Sequence, residues 1–267
     1  MANPYNPDGK KITFYDALND LRGLSNLDVY VTGSNSKMLS SDILTEFRGR
    51  SDEIRVHPLS FAEYYSAVGG DKNEAFDEYA FYGGMPIILS RPNDTAKMNY
   101  LESLFSEVYI EDIVERKRIE RQDVLEQILD VLCSSVGSLT NPTKIANTLK
   151  SNQGGRVSAN TIRAYIGHLE DAFLFSESKR YDVKGNSIRT PREIDFVVNS
   201  GGKRTYIQSA YAMPTDEKAE VELRPFTLTG DSFPKIVVRK DIGKRWYDDN
   251  GILNINVIDF LLDKELI

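Results

Sequence analysis

The sequence predicts an α/β protein built from several units, and three observations carry that prediction. Its 267 residues exceed the length of one typical domain. Short β-branched runs alternate with amphipathic helical stretches towards both ends of the chain, and a purely helical stretch broken by Gly83-Gly84 lies between them. The chain is 40% hydrophobic and 27% charged, which supports a buried core and excludes a disordered polymer. No run approaches the ~18 apolar residues that span a bilayer. The opening residues lack the apolar centre of a secretory leader, and one cysteine, Cys133, cannot close a disulfide within the chain. With only His57 and His168 beside it, a conventional zinc cage is excluded. The expectation is a cytoplasmic protein that makes no membrane contact and carries no structural metal.

Taken in order, residues 1–10 are rich in Asn, Pro, Asp and Gly and read as a loop into an amphipathic helix over 15–24. Residues 28–32, Asp-Val-Tyr-Val-Thr, alternate and are β-branched, so a buried strand is expected there. It would end at Gly33, Ser34 and Asn35, polar groups at the carboxyl end of a strand, where open α/β sheets take ligands. Ser41 and Asp42 can cap a short helix through Phe47. Arg48-Gly49-Arg50 then sits at a turn before a second expected strand over 53–57. From residue 60 to about 118 the spacing becomes helical, with Phe61, Tyr64 and Tyr65 on one face. Gly83-Gly84 interrupts it with a backbone that few other residues allow, and Pro86 is placed to open the next helix.

Residues 123–136, 142–149 and 158–171 read as three helices. A strand is expected from Phe173-Leu174-Phe175, continuing through Tyr181 and turning near Gly185. Helix, helix, helix, wing is a winged-helix pattern, related to the helix-turn-helix readers of DNA. Between Ser138 and Arg192 stand nine basic and four acidic residues, a local +5 within a chain of net charge −7. The third helix would turn Ser158, Asn160, Thr161, Arg163 and, at its far end, His168 outward while Ile162, Ile166 and Leu169 face the core. Lys179, Arg180 and Lys184 would follow on the wing. Such side chains bond phosphates and base edges; equally, they make a solvated basic face used for protein contacts. From residue 192 the chain returns to α/β, with strands at 194–198, 205–208, 235–239 and 252–257, a helix over 216–223 and a hairpin turn at 199–202.

A GxxxxGK[ST] phosphate loop is absent, and no acidic pair ends an apolar strand to hold Mg²⁺. The ordered set Tyr30-Val31-Thr32-Gly33-Ser34-Asn35, Glu46-Phe47-Arg48-Gly49-Arg50 and His57-Pro58-Leu59-Ser60-Phe61 nevertheless resembles the second half of the ATPase core in bacterial and archaeal AAA-type ATP-binding proteins. The resemblance continues through Tyr82-Gly83-Gly84-Met85-Pro86, Lys179-Arg180-Tyr181-Asp182, Glu193-Ile194-Asp195-Phe196 and Tyr206-Ile207-Gln208. It implies four consecutive segments: 1–60 as part of an AAA-type core, 61–122 as a helical lid, 123–187 as a winged helix, and 188–267 as a restriction-endonuclease-like α/β module. Relative to that family the chain lacks the Walker A and Walker B half and a stretch of the last module, so it reads as a truncated relative.

The resemblance also assigns roles. Ser34 and Asn35 match the sensor that orients water at the γ-phosphate, although both are equally good turn formers. Arg50 matches an arginine finger acting on a neighbouring subunit's nucleotide, and is otherwise a solvated surface arginine. Asp195 matches the first carboxylate of a nuclease site, but Gln208 stands where Glu is needed and Ala210 where Lys is needed. No nuclease activity is expected from that set, and Asp195 alone reads as a structural residue. ATP and Mg²⁺ belong to the family; no cofactor or metal is expected for this chain by itself. The implied partners are DNA, a full-length homologous ATPase, or a second copy of the chain.

Overall fold

The computed structural model describes residues 13–31, 52, 54–153, 157–178, 181–182 and 193–266. They form an α/β protein whose contacts divide it into two compact units. One joins Met1–Arg55 to Glu102–Glu177, the other Val56–Leu101 to Ser178–Ile267. This grouping runs across the four consecutive segments of the sequence reading, since residues 61–101 go with the C-terminal sheet and 102–122 with the helices that follow them.

In the first unit, helix α1 (Phe14–Arg22) starts at a capping box. The Thr13 side chain accepts from the Asp16 N–H, and the Asp16 carboxylate takes the Thr13 N–H at 2.8 Å. The strand expected over 28–32 is not formed in its described part: residues 28–31 are irregular and Tyr30 is 83% exposed. Residues 54–57 likewise carry no strand, with Ile54 and Val56 in water. Alternation makes a strand only where a neighbour takes up its backbone N–H and C=O groups. No described strand pairs with either segment.

The unit's core is helical. A π-helical turn (Leu104–Ile110) leads into α5 (Glu111–Lys117), α6 (Gln122–Ser134), α7 (Pro142–Gln153) and α8 (Ala159–Asp171). Helix α6 buries Val124, Leu125, Ile128, Leu129 and Leu132, the stripe that a 3.6-residue period places on one side. Asn141 caps α7, accepting the Thr143 N–H at 2.9 Å, with Pro142 at the first position where a missing N–H costs nothing. Two helix ends carry a left-handed residue that is not glycine. Arg118 (φ 51°) ends α5, with Ile119 N–H donating to the Val114 carbonyl and Arg118 N–H to Glu115. Phe173 (φ 60°) ends α8 in the same manner, through Leu174 to Leu169 and Phe173 to Glu170. The strand expected at 173–175 is therefore a helix stop, because the last carbonyls of α8 claim the N–H groups a ladder would need.

In the second unit, α2 (Phe61–Val68) and α3 (Lys72–Tyr82) form a helical hairpin. Ser60 and Glu63 make a second capping box, and Phe61, Tyr64, Phe76 and Tyr79 bring their rings together at centroid distances of 5.3 to 5.5 Å. Burial, with the Glu78 carboxylate adding to it, pushes the Tyr64 phenol up to about 12. The turn after α3 explains both glycines: Gly83 sits at φ 75°, and a Cβ on Gly84 would fall 2.0 Å from the Leu59 carbonyl oxygen. Leu59 in turn donates its N–H to Gly84 at 2.7 Å. A 3-10 turn (Pro86–Ser90) and α4 (Asp94–Ser103) follow, with Pro86 opening the turn.

The sheet runs β3-β4-β5-β7-β6. Strands β3 (Phe196–Ser200) and β4 (Lys203–Ala210) form a hairpin through Gly201 and Gly202, both at positive φ, as a two-residue turn demands. Helix α9 (Asp216–Thr227) then crosses over, so that β5 (Lys235–Arg239) lies parallel to β4, and β7 (Leu253–Asn256) lies parallel to β5. The short β6 (Trp246–Tyr247) closes the edge antiparallel to β7. A separate pair, β1 (Tyr181–Asp182) and β2 (Glu193–Ile194), precedes the hairpin. Tyr206, Ala210, Val237 and Ile252 fill one face with Phe226 and Leu223 of α9. Ile207, Ile236, Val238 and Ile255 fill the other with Val257 and Phe260 of α10 (Val257–Leu262). Ile258 of α10 turns into the hairpin cluster of Phe61, Tyr64 and Ala75 and joins it to the sheet.

Candidate functional site

Two places hold the described members of the sequence-derived set. The first is α8. Ile162 and Leu169 are fully buried, while Asn160 and Arg163 are exposed, so the helix offers a polar side away from the core. Ser158 is its N-cap and accepts the Thr161 N–H at 3.0 Å, with the two hydroxyls 2.9 Å apart. Both hydroxyls are thus engaged at the helix start. His168 is half-buried, its ring 6.3 Å from that of Tyr165. Lys179, Arg180 and Lys184 lie outside the described residues, as do Ser34, Asn35 and Arg50. Of the expected wing, β1 is described; it pairs with β2 and groups with the second unit.

The second is the break between β2 and β3, where Asp195 and Gln208 meet. The Asp195 carboxylate accepts the Ser209 N–H at 2.7 Å, and the Asp195 N–H donates to the Gln208 side-chain oxygen at 3.4 Å. Gln208 is buried on the face shared with Tyr206 and Ala210. The two side chains stand in for ladder hydrogen bonds at the point where the strand bends, and so give the Asp195 and Ser209 N–H groups acceptors there. Among the described residues there is no cluster of three or more His, Cys, Asp or Glu that could hold a metal.

One further site escaped the sequence reading. At the carboxyl end of β5, Arg239 grips Asp241 with two bonds of 2.8 and 2.7 Å, and Asp241 accepts the Met213 N–H at 3.1 Å. The Arg239 guanidinium beside it, more than the opposing effect of burial, holds the Asp241 carboxyl below the usual carboxylate range. Arg239 also reaches the Met213 carbonyl at 3.3 Å and lies 5.9 Å from the Trp246 ring. The signal in the sequence is the Arg-Lys-Asp that ends an apolar strand. It is too short to read without knowing that Met213 returns to the same place.

With this geometry in place, comparison with known proteins adds kinship. Residues 12–65 match the AAA domain family. That match supports an AAA-type family. Residues 73–193 match a domain family of unknown function. An uncharacterized protein of Haemophilus influenzae is 34% identical over 192 residues, 70% of this chain and 48% of its own length. An uncharacterized protein of Methanocaldococcus jannaschii is 28% identical over 189 residues, 66% of this chain and 41% of its own length. The chain therefore spans about half, or less, of the curated relatives it matches. No solved structure matches it. Among the described residues no helix is long and apolar enough to cross a membrane.

Proposed function

We propose that this chain is an AAA-type ATPase relative that acts by binding rather than by chemistry of its own, with α8 presented to double-stranded DNA. The observation that carries the reading is the sidedness of α8: Asn160 and Arg163 exposed on a helix whose opposite side is fully buried, within the chain's most basic stretch. Arginine and asparagine are the side chains that bond phosphates and base edges, and the winged-helix order of elements supports that use. The chain has no GxxxxGK[ST] loop to cradle a nucleotide's phosphates. The C-terminal sheet is read as a restriction-endonuclease-like module in which Asp195 and Gln208 clasp the strand bend instead of holding Mg²⁺.

The test is fluorescence anisotropy with a labelled duplex of about 30 base pairs between about 50 and 200 mM salt, the range over which phosphate contacts weaken. Binding should weaken steeply with salt, and Arg163→Ala should raise Kd several-fold while lowering the salt slope by about one. No binding at low salt, or an Arg163→Ala variant that binds as the parent does, would leave α8 as a protein-interaction face. A second reading rests on the AAA match, which includes Arg50: the chain completes a neighbouring subunit's ATPase site. Adding it to an intact relative should then raise the ATPase rate, and Arg50→Ala should remove the rise.

A further inference from the structure

Beside the helical hairpin, the carboxyl ends of β4 and β5 open into a cleft of about 500 Å³. Its Val238 and Val257 belong to the α10 face of the sheet and its Ala210 to the opposite one, and its Ser209 is the residue whose N–H the Asp195 carboxylate accepts, so the cleft adjoins the Asp195–Gln208 clasp. Open α/β sheets take their ligands at the carboxyl ends of parallel strands. Helix α3 supplies one wall through Phe76, Ala80 and Phe81, and the strand ends supply Ala210 and Val238. Phe81 on the helix side is 69% exposed and Tyr211 on the strand side 81%, so two aromatic rings stand in water around an apolar cleft.

Two cations line it, Arg239 and Lys240, each held in an ion pair, and the two pairs differ. Arg239 and Asp241 are closed on each other and on the Met213 peptide, with side chains only 12% and 27% exposed. Lys240 and Asp77 meet at 2.7 Å, but the Asp77 side chain is 68% exposed against 34% for Lys240. The Lys240 ammonium also lies 4.7 Å from the centre of the Phe76 ring, which keeps it at the cleft if Asp77 moves away. Asp77, already mostly hydrated, loses little by swinging into water. Lys240, more covered, still needs a counter-charge. An incoming cation would have to take Asp77 and leave Lys240 uncompensated, whereas an incoming anion replaces Asp77 one for one.

We propose that this cleft binds a small organic carboxylate with a flat apolar body. Its carboxylate takes the place of Asp77 on Lys240, and its ring lies against Phe81 and Tyr211 over Val238. The proposal goes beyond the DNA-binding reading and does not depend on it.

Isothermal titration of the full chain with phenylacetate, phenylacetamide and phenethylammonium tests it, because the three share a shape and differ in charge. Phenylacetate should saturate a single site and bind about tenfold tighter than the neutral amide, with the ammonium weakest. Lys240→Gln should bring the acid to the level of the amide. Ala80→Trp, at an exposed helical position, should fill the cleft and remove binding while leaving the urea midpoint in place. Equal affinity for acid and amide, a preference for the ammonium, binding that survives Ala80→Trp, or no saturable binding of phenylacetate would each overturn it.

Discussion

At the scale of the single residue, Gly84 shows how a short motif acquires meaning from a distant part of the chain. Tyr82-Gly83-Gly84 announces an unusual backbone, and Gly83 bears that out with its positive φ. Gly84 is needed for another reason: Leu59, some 25 residues earlier, occupies the space of its missing side chain. That approach could not be read from the sequence, because nothing local records which segment comes close. Gly84→Ala should cost about 1–3 kcal/mol through forced displacement of the Leu59 backbone, read as a lowered urea midpoint. Asp241 carries a pH consequence. Its carboxyl is held low by Arg239, so the stability it contributes is complete above the ordinary carboxylate value of about 3.9 and is lost as pH falls through the lowered folded value. Asp241→Asn should therefore be less stable at neutral pH and show a shallower loss of stability below pH about 4 in an acid titration followed by circular dichroism. Arg118 and Phe173 mark the opposite limit of legibility. Helix stops are sought at glycine, and these two left-handed residues gave no such signal.

At the scale of the element, the helices were far more legible than the strands. Helix α6 repeats its apolar residues with the helical period, and α7 and α8 each open at a side-chain cap, so their limits follow from local chemistry. The hairpin of β3 and β4 was equally clear because Gly201-Gly202 fixes its turn. Residues 28–31 and 54–57 carry strand patterns just as plainly and are not strands, since a strand is completed by a neighbour and a helix is not. The Asp195–Gln208 contact was hidden for a related reason: it depends on how a bend between β2 and β3 meets β4. Ser158 gives this scale its prediction. Its hydroxyl satisfies the Thr161 N–H at the start of α8, so Ser158→Ala should lower stability by about 1 kcal/mol, measured by urea unfolding.

At the scale of the whole molecule, an α/β class was legible from composition and alternation, while the partition into units was not. The helical hairpin of α2 and α3 belongs with the C-terminal sheet because α10 packs Val257 and Phe260 on the strands and Ile258 on Phe61 and Tyr64. Ile258→Ala should therefore cost about 2–5 kcal/mol, and hydrogen exchange should show α2, α3 and the sheet losing protection together. Loss confined to the hairpin would show that the two parts open separately. The same unit is discontinuous in sequence, being assembled from residues on either side of the first unit's helices. During biosynthesis, the aromatic face of α2 and α3 leaves the ribosome long before α10 has been made. At typical elongation rates that delay is on the order of ten seconds. For that interval Phe61, Tyr64 and Phe76 are without the Ile258 side chain that later covers them, and the nascent chain presents a hydrophobic segment of the kind that chaperones hold.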